Sequence, residues 1–189
     1  MSPAGRRAQV LRAAVTVLAE GGARGLTHRA VDSAGGLPAG TTSNHFRSRL
    51  ALVDGVLEQV TAQERAVTAD LLLVPTEAVT ADGLVELCAA VVHRMVGPLR
   101  QESLARYAIV MEAARHDELR PALRGRTEPW WQLSAEVLAA AGAPDAERRG
   151  RTLLACLDGV VLDQLVRPDP GFDPAVALAP VVRGLLARP

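Results

Sequence analysis

The sequence predicts an all-α protein, and three observations predict it. Apolar residues make up 49% of the chain and come mostly from Ala, Leu and Val, with Ile only at Ile109; Ala and Leu favour helix. Over most of the length these residues recur at i, i+3, i+4 and i+7, the spacing that lines one face of a helix. Gly and Pro cut the stripes into segments, and nowhere does β-branched alternation combine with hairpin signals. About nine helices fit, an N-terminal three-helix head followed by a C-terminal helical domain.

Each element has its own signal. Leu11, Ala14, Val15 and Leu18 mark a first helix over 6–20, which Gly21 and Gly22 end because glycine takes the left-handed conformation at little steric cost. Thr27 is suited to N-cap a second helix that buries Ala30, Val31 and Ala34. Gly35 and Gly36 force a turn, and a short third helix runs from about 38 to 45, with Pro38 at a favourable first position. Ser48 caps a fourth helix over 49–72, marked by Val53, Val56, Leu57 and Val60 and broken by Pro75. Further helical segments cover 84–96, 101–116, 124–141, 146–166 and 173–186, separated by Gly97-Pro98, Gly142-Ala143-Pro144 and the Pro-rich stretch 168–174. No internal repeat interrupts this order.

Charge is distributed unevenly. The chain is formally neutral, but residues 1–49 hold seven Arg against Glu20 and Asp32, a net of +5, which leaves −5 for the remainder. A basic head on an acidic body suits a protein whose one end meets phosphates. All 21 basic residues are Arg, the usage of a GC-rich genome. Cys88 and Cys156 lack metal-ligand spacing, and two thiols in 189 residues fit a reduced cytoplasm rather than a disulfide framework. The spacing of His93, His116, Cys88 and Glu112 does not support a metal site, and no cofactor is expected. With no signal-like stretch and no apolar window of spanning length, a cytoplasmic protein without a membrane partner is expected.

The informative segment is 27–46, THRAVDSAGGLPAGTTSNHF. Two short helices joined by a glycine turn form a helix-turn-helix, whose second helix sits proud enough to enter a major groove. Val31 and Ala34 would pack the supporting helix, Gly36 supplies the turn, and Leu37 plugs the junction. Ala39, Gly40, Thr41, Thr42, Ser43, Asn44 and His45 are mostly short and polar and permit close approach to DNA. Asn44, the one Asn of the chain, suits pairing with an adenine edge. Asp32 can cap, pair with Arg29 or sit at the surface, and the sequence does not choose. His45 either faces the groove or wedges beside Phe46, which reads as core, and Arg6 and Arg7 reach a phosphate or stand solvated.

Around this segment Arg7, Ala13-Ala14, Glu20-Gly21-Gly22, Thr27, Val31, Gly36-Leu37, Gly40-Thr41, His45-Phe46, Ser48-Arg49 and Leu52 stand in one register. That constellation resembles the N-terminal domain of the TetR family of bacterial transcription regulators. The resemblance covers roughly 6–60 and implies a DNA-binding domain over 1–50, a connecting helix over 49–72, and a ligand-binding and dimerisation domain over 73–189. It implies phosphate contacts from Thr27, His28, Arg29, Arg47 and Arg49, and groove contacts from 39–45. Two positions depart from the family: Ser43 stands where a DNA-touching Tyr is frequent, and Asp32 where a small residue is usual.

The resemblance also implies a homodimer, so that two heads match two half-sites of an operator. The expected interface lies on the last two helices, at Leu157, Gly159, Val160, Val161, Leu162, Val181 and Leu185, with Gly159 allowing close approach. An effector pocket is expected among Cys88, Val92, Met95, Tyr107, Met111, Trp130 and Trp131, a large and polarizable set suited to an apolar or amphipathic small molecule. The expected function is a ligand-responsive repressor released from its palindromic operator by that effector. Two rivals are a small all-α enzyme and a helical interaction protein with a non-binding head. The first finds no nucleophile–base pair, phosphate loop or metal motif in the sequence.

Overall fold

A computed structural model of the chain describes residues 3–71 and 79–188. Among the described residues there are nine α-helices and no strand: α1 Pro3–Gly25, α2 His28–Ala34, α3 Thr41–His45, α4 Arg49–Thr68, α5 Ala81–Val96, α6 Arg100–Ala113, α7 Arg120–Ala140, α8 Ala146–Val166 and α9 Pro174–Leu186. The all-α reading holds.

Several boundaries differ from expectation for local reasons. The first helix does break at Gly22, whose φ of 64° is left-handed, but it resumes for a last turn to Gly25. The third helix starts at Thr41 rather than Pro38, because Gly40 at its N-cap has a φ of 86° and the preceding residues form the turn. Pro38 instead offers its carbonyl to the Thr41 amide at 3.1 Å. The fourth helix ends at Thr68, and its expected end at Leu72, like Pro75, lies outside the described residues. Capping matches the sequence reading at Thr27 and Ser48, each of which accepts a backbone amide with the side chain, and Asp173 caps α9 in the same way.

The described helices group into two compact units, and these do not follow the order of the chain. One unit combines 3–64 with 101–126, so that α6 joins the N-terminal helices. Its core comprises Leu11, Ala14 and Leu18 of α1, Val31, Leu37 and Phe46 of the head, Leu52, Val56 and Val60 of α4, and Ala105 and Ile109 of α6. Full burial of each large aliphatic side chain is worth about 1.5–3 kcal/mol relative to exposure, and that burial holds such short helices together. Gly55 of α4 faces Phe46 so closely that a Cβ there would stand 2.6 Å from the ring. The Arg7 guanidinium covers that ring at 5.2 Å and pairs with Glu58 at 3.2 Å.

The other unit contains α5, α8, α9 and most of α7. Leu84, Val85, Cys88, Ala89, Val92 and Met95 form the buried face of α5, which packs on α8 and α9. Arg149 of α8 donates to the carbonyls of Leu185 and Ala187 at 2.6 and 2.8 Å, satisfying acceptors that the end of α9 leaves open. The close helix crossing lies at Gly150, where an added Cβ would come within 2.7 Å of the Ala135 backbone nitrogen. Gly159, expected to allow close approach, is exposed, and a Cβ added there would meet no other described part of the chain within 4 Å.

These two glycines generate opposite expectations. Helix propensity alone favours Ala over Gly by about 1 kcal/mol at either site. Gly150→Ala must push α8 off the α7 backbone and is expected to lower stability by about 1–3 kcal/mol, read as a reduced urea midpoint. Equal or raised stability would mean that the α7–α8 crossing is looser than described.

Candidate nucleic-acid interface

Helix α3 has five residues and no side-chain cap of its own, since its N-cap is Gly40. A single helical turn is not self-sustaining in water. What holds it is α2. Asp32, buried at 6% exposure, accepts the Gly40 amide at 2.8 Å through one carboxylate oxygen. The other oxygen accepts the Thr42 amide at 2.8 Å and the Thr42 hydroxyl at 2.6 Å. At the far end, His28 Nε2 lies 2.8 Å from the Phe46 carbonyl oxygen. A carbonyl only accepts, so Nε2 must carry the proton. His28 and Asp32 are four residues apart on one face of α2, and they grip the two ends of the shorter helix.

This arrangement answers the question the sequence left open at Asp32. Burial pushes its carboxyl up, but the Thr42 hydroxyl, the Thr42 and Gly40 amides and the nearby His28 more than offset that. The net result is a pKa below the ordinary 3.8. The negative charge also faces the positive end of α3.

Three residues expected to contact DNA are engaged within their own unit. Thr42 is fully buried, its hydroxyl turned to Asp32 instead of outward. His28 directs its ring nitrogen into the head rather than toward a phosphate. Arg49 stays exposed, its side chain 41% accessible, while it donates to the Ala23 carbonyl at 2.8 Å and to Glu112 at 3.1 Å. That carbonyl belongs to the last turn of α1, where acceptors lack intrahelical partners. Ala34, expected to be buried, is exposed, because Val31 and Asp32 face inward in its place.

The remaining residues form one surface. Pro38, Ala39, Gly40 and Asn44 are exposed, with Thr41, Ser43 and His45 half-buried beside them. Thr27, Arg29 and Arg47 are exposed at its flanks. The Thr41 hydroxyl donates to the Pro38 carbonyl at 2.6 Å and that of Ser43 to the Gly40 carbonyl at 2.9 Å, so each keeps lone pairs to offer outward.

The effector candidates are divided between the two units. Cys88, Val92 and Met95 lie buried on one face of α5, and burial pushes the Cys88 thiol up to about 12. Trp130 and Trp131 are half-buried on α7, with the Arg151 guanidinium 5.0 Å from the Trp131 ring. Tyr107 is buried on α6 under Arg106, whereas Met111 is 53% exposed. Of the interface candidates, Val161 is buried within its own unit. Leu157, Val160, Val181 and Leu185 are half-buried, and Gly159 and Leu162 are exposed. Ala155, Gly159, Leu162 and Val166 make one exposed stripe along α8. Among the described residues no helix is long and apolar enough to cross a membrane, and no cluster of His, Cys, Asp and Glu could hold a metal ion.

The helical architecture and the two-helix head together define a helix-turn-helix transcription regulator. The chain belongs to the TetR family: the model for the tetracyclin repressor-like C-terminal domain matches 79–188, more than half its length. Among solved structures it is similar to a transcriptional regulator from Rhodococcus, with 23% identity, coverage of 97% of this chain and 99% of that one, and a TM-score of 0.81. A TetR-family member from Streptomyces coelicolor shares 28% identity over 97% and 99% of the two chains, with a TM-score of 0.73. The multidrug binding protein EbrR, solved with imidazole, shares 29% over 100% and 93%, with a TM-score of 0.72. No curated protein matches the sequence.

The Asp32 clamp carries a signed pH dependence. Because the folded pKa lies below the ordinary 3.8, its stabilisation is fully present above that value and is lost as pH falls through the folded one. The stability gap between wild type and Asp32→Asn should stay constant from neutral pH to about 4 and then close. Urea titrations across that range measure it, and a gap that persists undiminished to about pH 2 would contradict an ionised acceptor.

Proposed function

We propose that the chain is a ligand-responsive repressor that binds a palindromic operator as a homodimer and leaves it when a small-molecule effector binds. The observation that carries the reading is the exposed surface of α3, Asn44 at its centre, with Arg29 and Arg47 exposed at the flanks. Arginines at the edge suit phosphates, which position a protein, while an Asn amide in the groove suits a base edge, which specifies sequence. The exposed apolar stripe on α8, ending in Leu162 and Val166, supports a self-complementary dimer contact. The similarity to EbrR, a multidrug binding protein also solved with ethidium and with proflavin, supports an apolar or amphipathic effector. The reading assigns no catalysis.

Fluorescence polarisation against the duplex upstream of its own gene tests the central claim, and binding no tighter than to a scrambled duplex would overturn it. Asn44→Ala should relax discrimination at one or two base pairs by about 1–3 kcal/mol. Arg47→Ala should weaken binding to all sequences alike and lower the salt slope by about one. Leu162→Arg should convert the dimer to monomer in light scattering and weaken operator binding with it; an unchanged dimer places the contact elsewhere. Trp130 and Trp131 are the only tryptophans, so effector binding near α7 should change intrinsic fluorescence.

A further inference from the structure

We propose that Asp32 is a positioning residue that determines the base specificity of the DNA contact, acting through α3 without touching DNA. The inference rests on the operator-binding reading and adds the residue that orients the reading head.

Three observations carry it. The carboxylate is buried and both its oxygens are engaged, so it offers nothing to a phosphate or a base. Its partners are the first amides of α3 and the Thr42 side chain, which means it fixes rotation as well as position. Residues of a helix are set 100° apart, so drawing Thr42 inward turns Gly40 and Asn44 to the opposite side and leaves Thr41 and Ser43 between. Exposure follows that geometry: Gly40 and Asn44 are exposed, Thr41 and Ser43 half-buried, Thr42 fully buried.

A bidentate amide–base contact demands defined distance and angle. A slip of one residue in the rotation of α3 would carry Asn44 about 100° away from the groove floor. His28 holds only the C-terminal end, and its bond to the Phe46 carbonyl does not select among rotations about the helix axis. Phe46, in the Gly55 notch, likewise anchors the C-terminal end, and at the N-terminal end the selecting group is Asp32. Thr42 is its cognate, since an apolar side chain at 42 would leave one carboxylate oxygen short of a donor in a buried place.

The test uses the full-length protein, a duplex selected by the wild type from a randomised library, and a scrambled duplex of equal length. Asp32→Ala should lower the ratio of the two affinities by about tenfold or more, the size of one lost bidentate contact. The salt slope on scrambled DNA should stay unchanged, because no phosphate contact is removed. Thr42→Val, close in shape, removes only the hydroxyl bond and should give a smaller loss in the same ratio; Asp32→Asn, which sets an NH2 group against the Gly40 amide, should fall between. These two carry the test if Asp32→Ala does not fold by circular dichroism. Equal loss on both duplexes would mean a merely structural role and overturn the proposal, as would an unchanged ratio. A wild type that selects no sequence from the library overturns the operator reading itself, a result separable from the behaviour of the variants.

Discussion

A helix of five residues cannot maintain itself, and the part of this protein that faces outward from the head is such a helix. Its existence depends on the grip of α2, an acid at one end and an imidazole at the other. The support for α2 comes in turn from the core through Val31 and Leu37, and from Gln9 of α1, which donates to the Gly35 carbonyl at 3.1 Å. Order thus passes outward from the packed α1 and α4 stripes, through a buried polar contact, to a surface whose own residues contribute little to stability. Such a division is useful. The exposed residues are free to be chosen for what they touch, because they are not needed to hold the helix.

The same compact unit includes α6, although some fifty residues separate it in sequence from the head. Arg49 shows how closely they are joined: one guanidinium spans the first turn of α4, the last turn of α1 and Glu112 of α6. Ala105 and Ile109 add apolar contact from α6 to the core below. Buried Glu64 and half-buried Arg106, 3.1 Å apart, tie α4 to α6 further along. Two ion pairs, Arg49–Glu112 and Arg106–Glu64, and side-chain packing thus join α6 to α4 at once.

Periodicity and punctuation made the helices legible, and most clearly where an apolar stripe ran uninterrupted. The segment 146–166 has the same limits in sequence and structure because Gly142-Ala143-Pro144 and the Pro-rich stretch bound it on both sides. Boundaries set by backbone conformation were harder: the left-handed Gly40 delays α3, and no side-chain pattern signals that. Within the head, Thr27 and Ser48 took their expected parts as caps because each acts locally, and Phe46 as core because an aromatic ring there has no polar partner to seek. The inward bonds of His28 and Thr42 were not legible, since their partners lie 18 and 10 residues away and a linear reading treats a polar side chain on a short helix as facing water. The signal at Asp32 was present as an acid where the family carries a small residue. Its meaning required Thr42 to be seen as its partner.

Phe46 follows the last residue of α3 directly, and its ring sits in the notch that Gly55 leaves in α4, with Arg7 of α1 closing the top. The two helices are in effect keyed to each other like a cog and its slot. Should α4 roll about its axis, the slot would turn with it and the ring would have to follow, dragging the end of α3 along. The smallest residue in α4 is thus the tooth-space through which such a torque would reach the short helix.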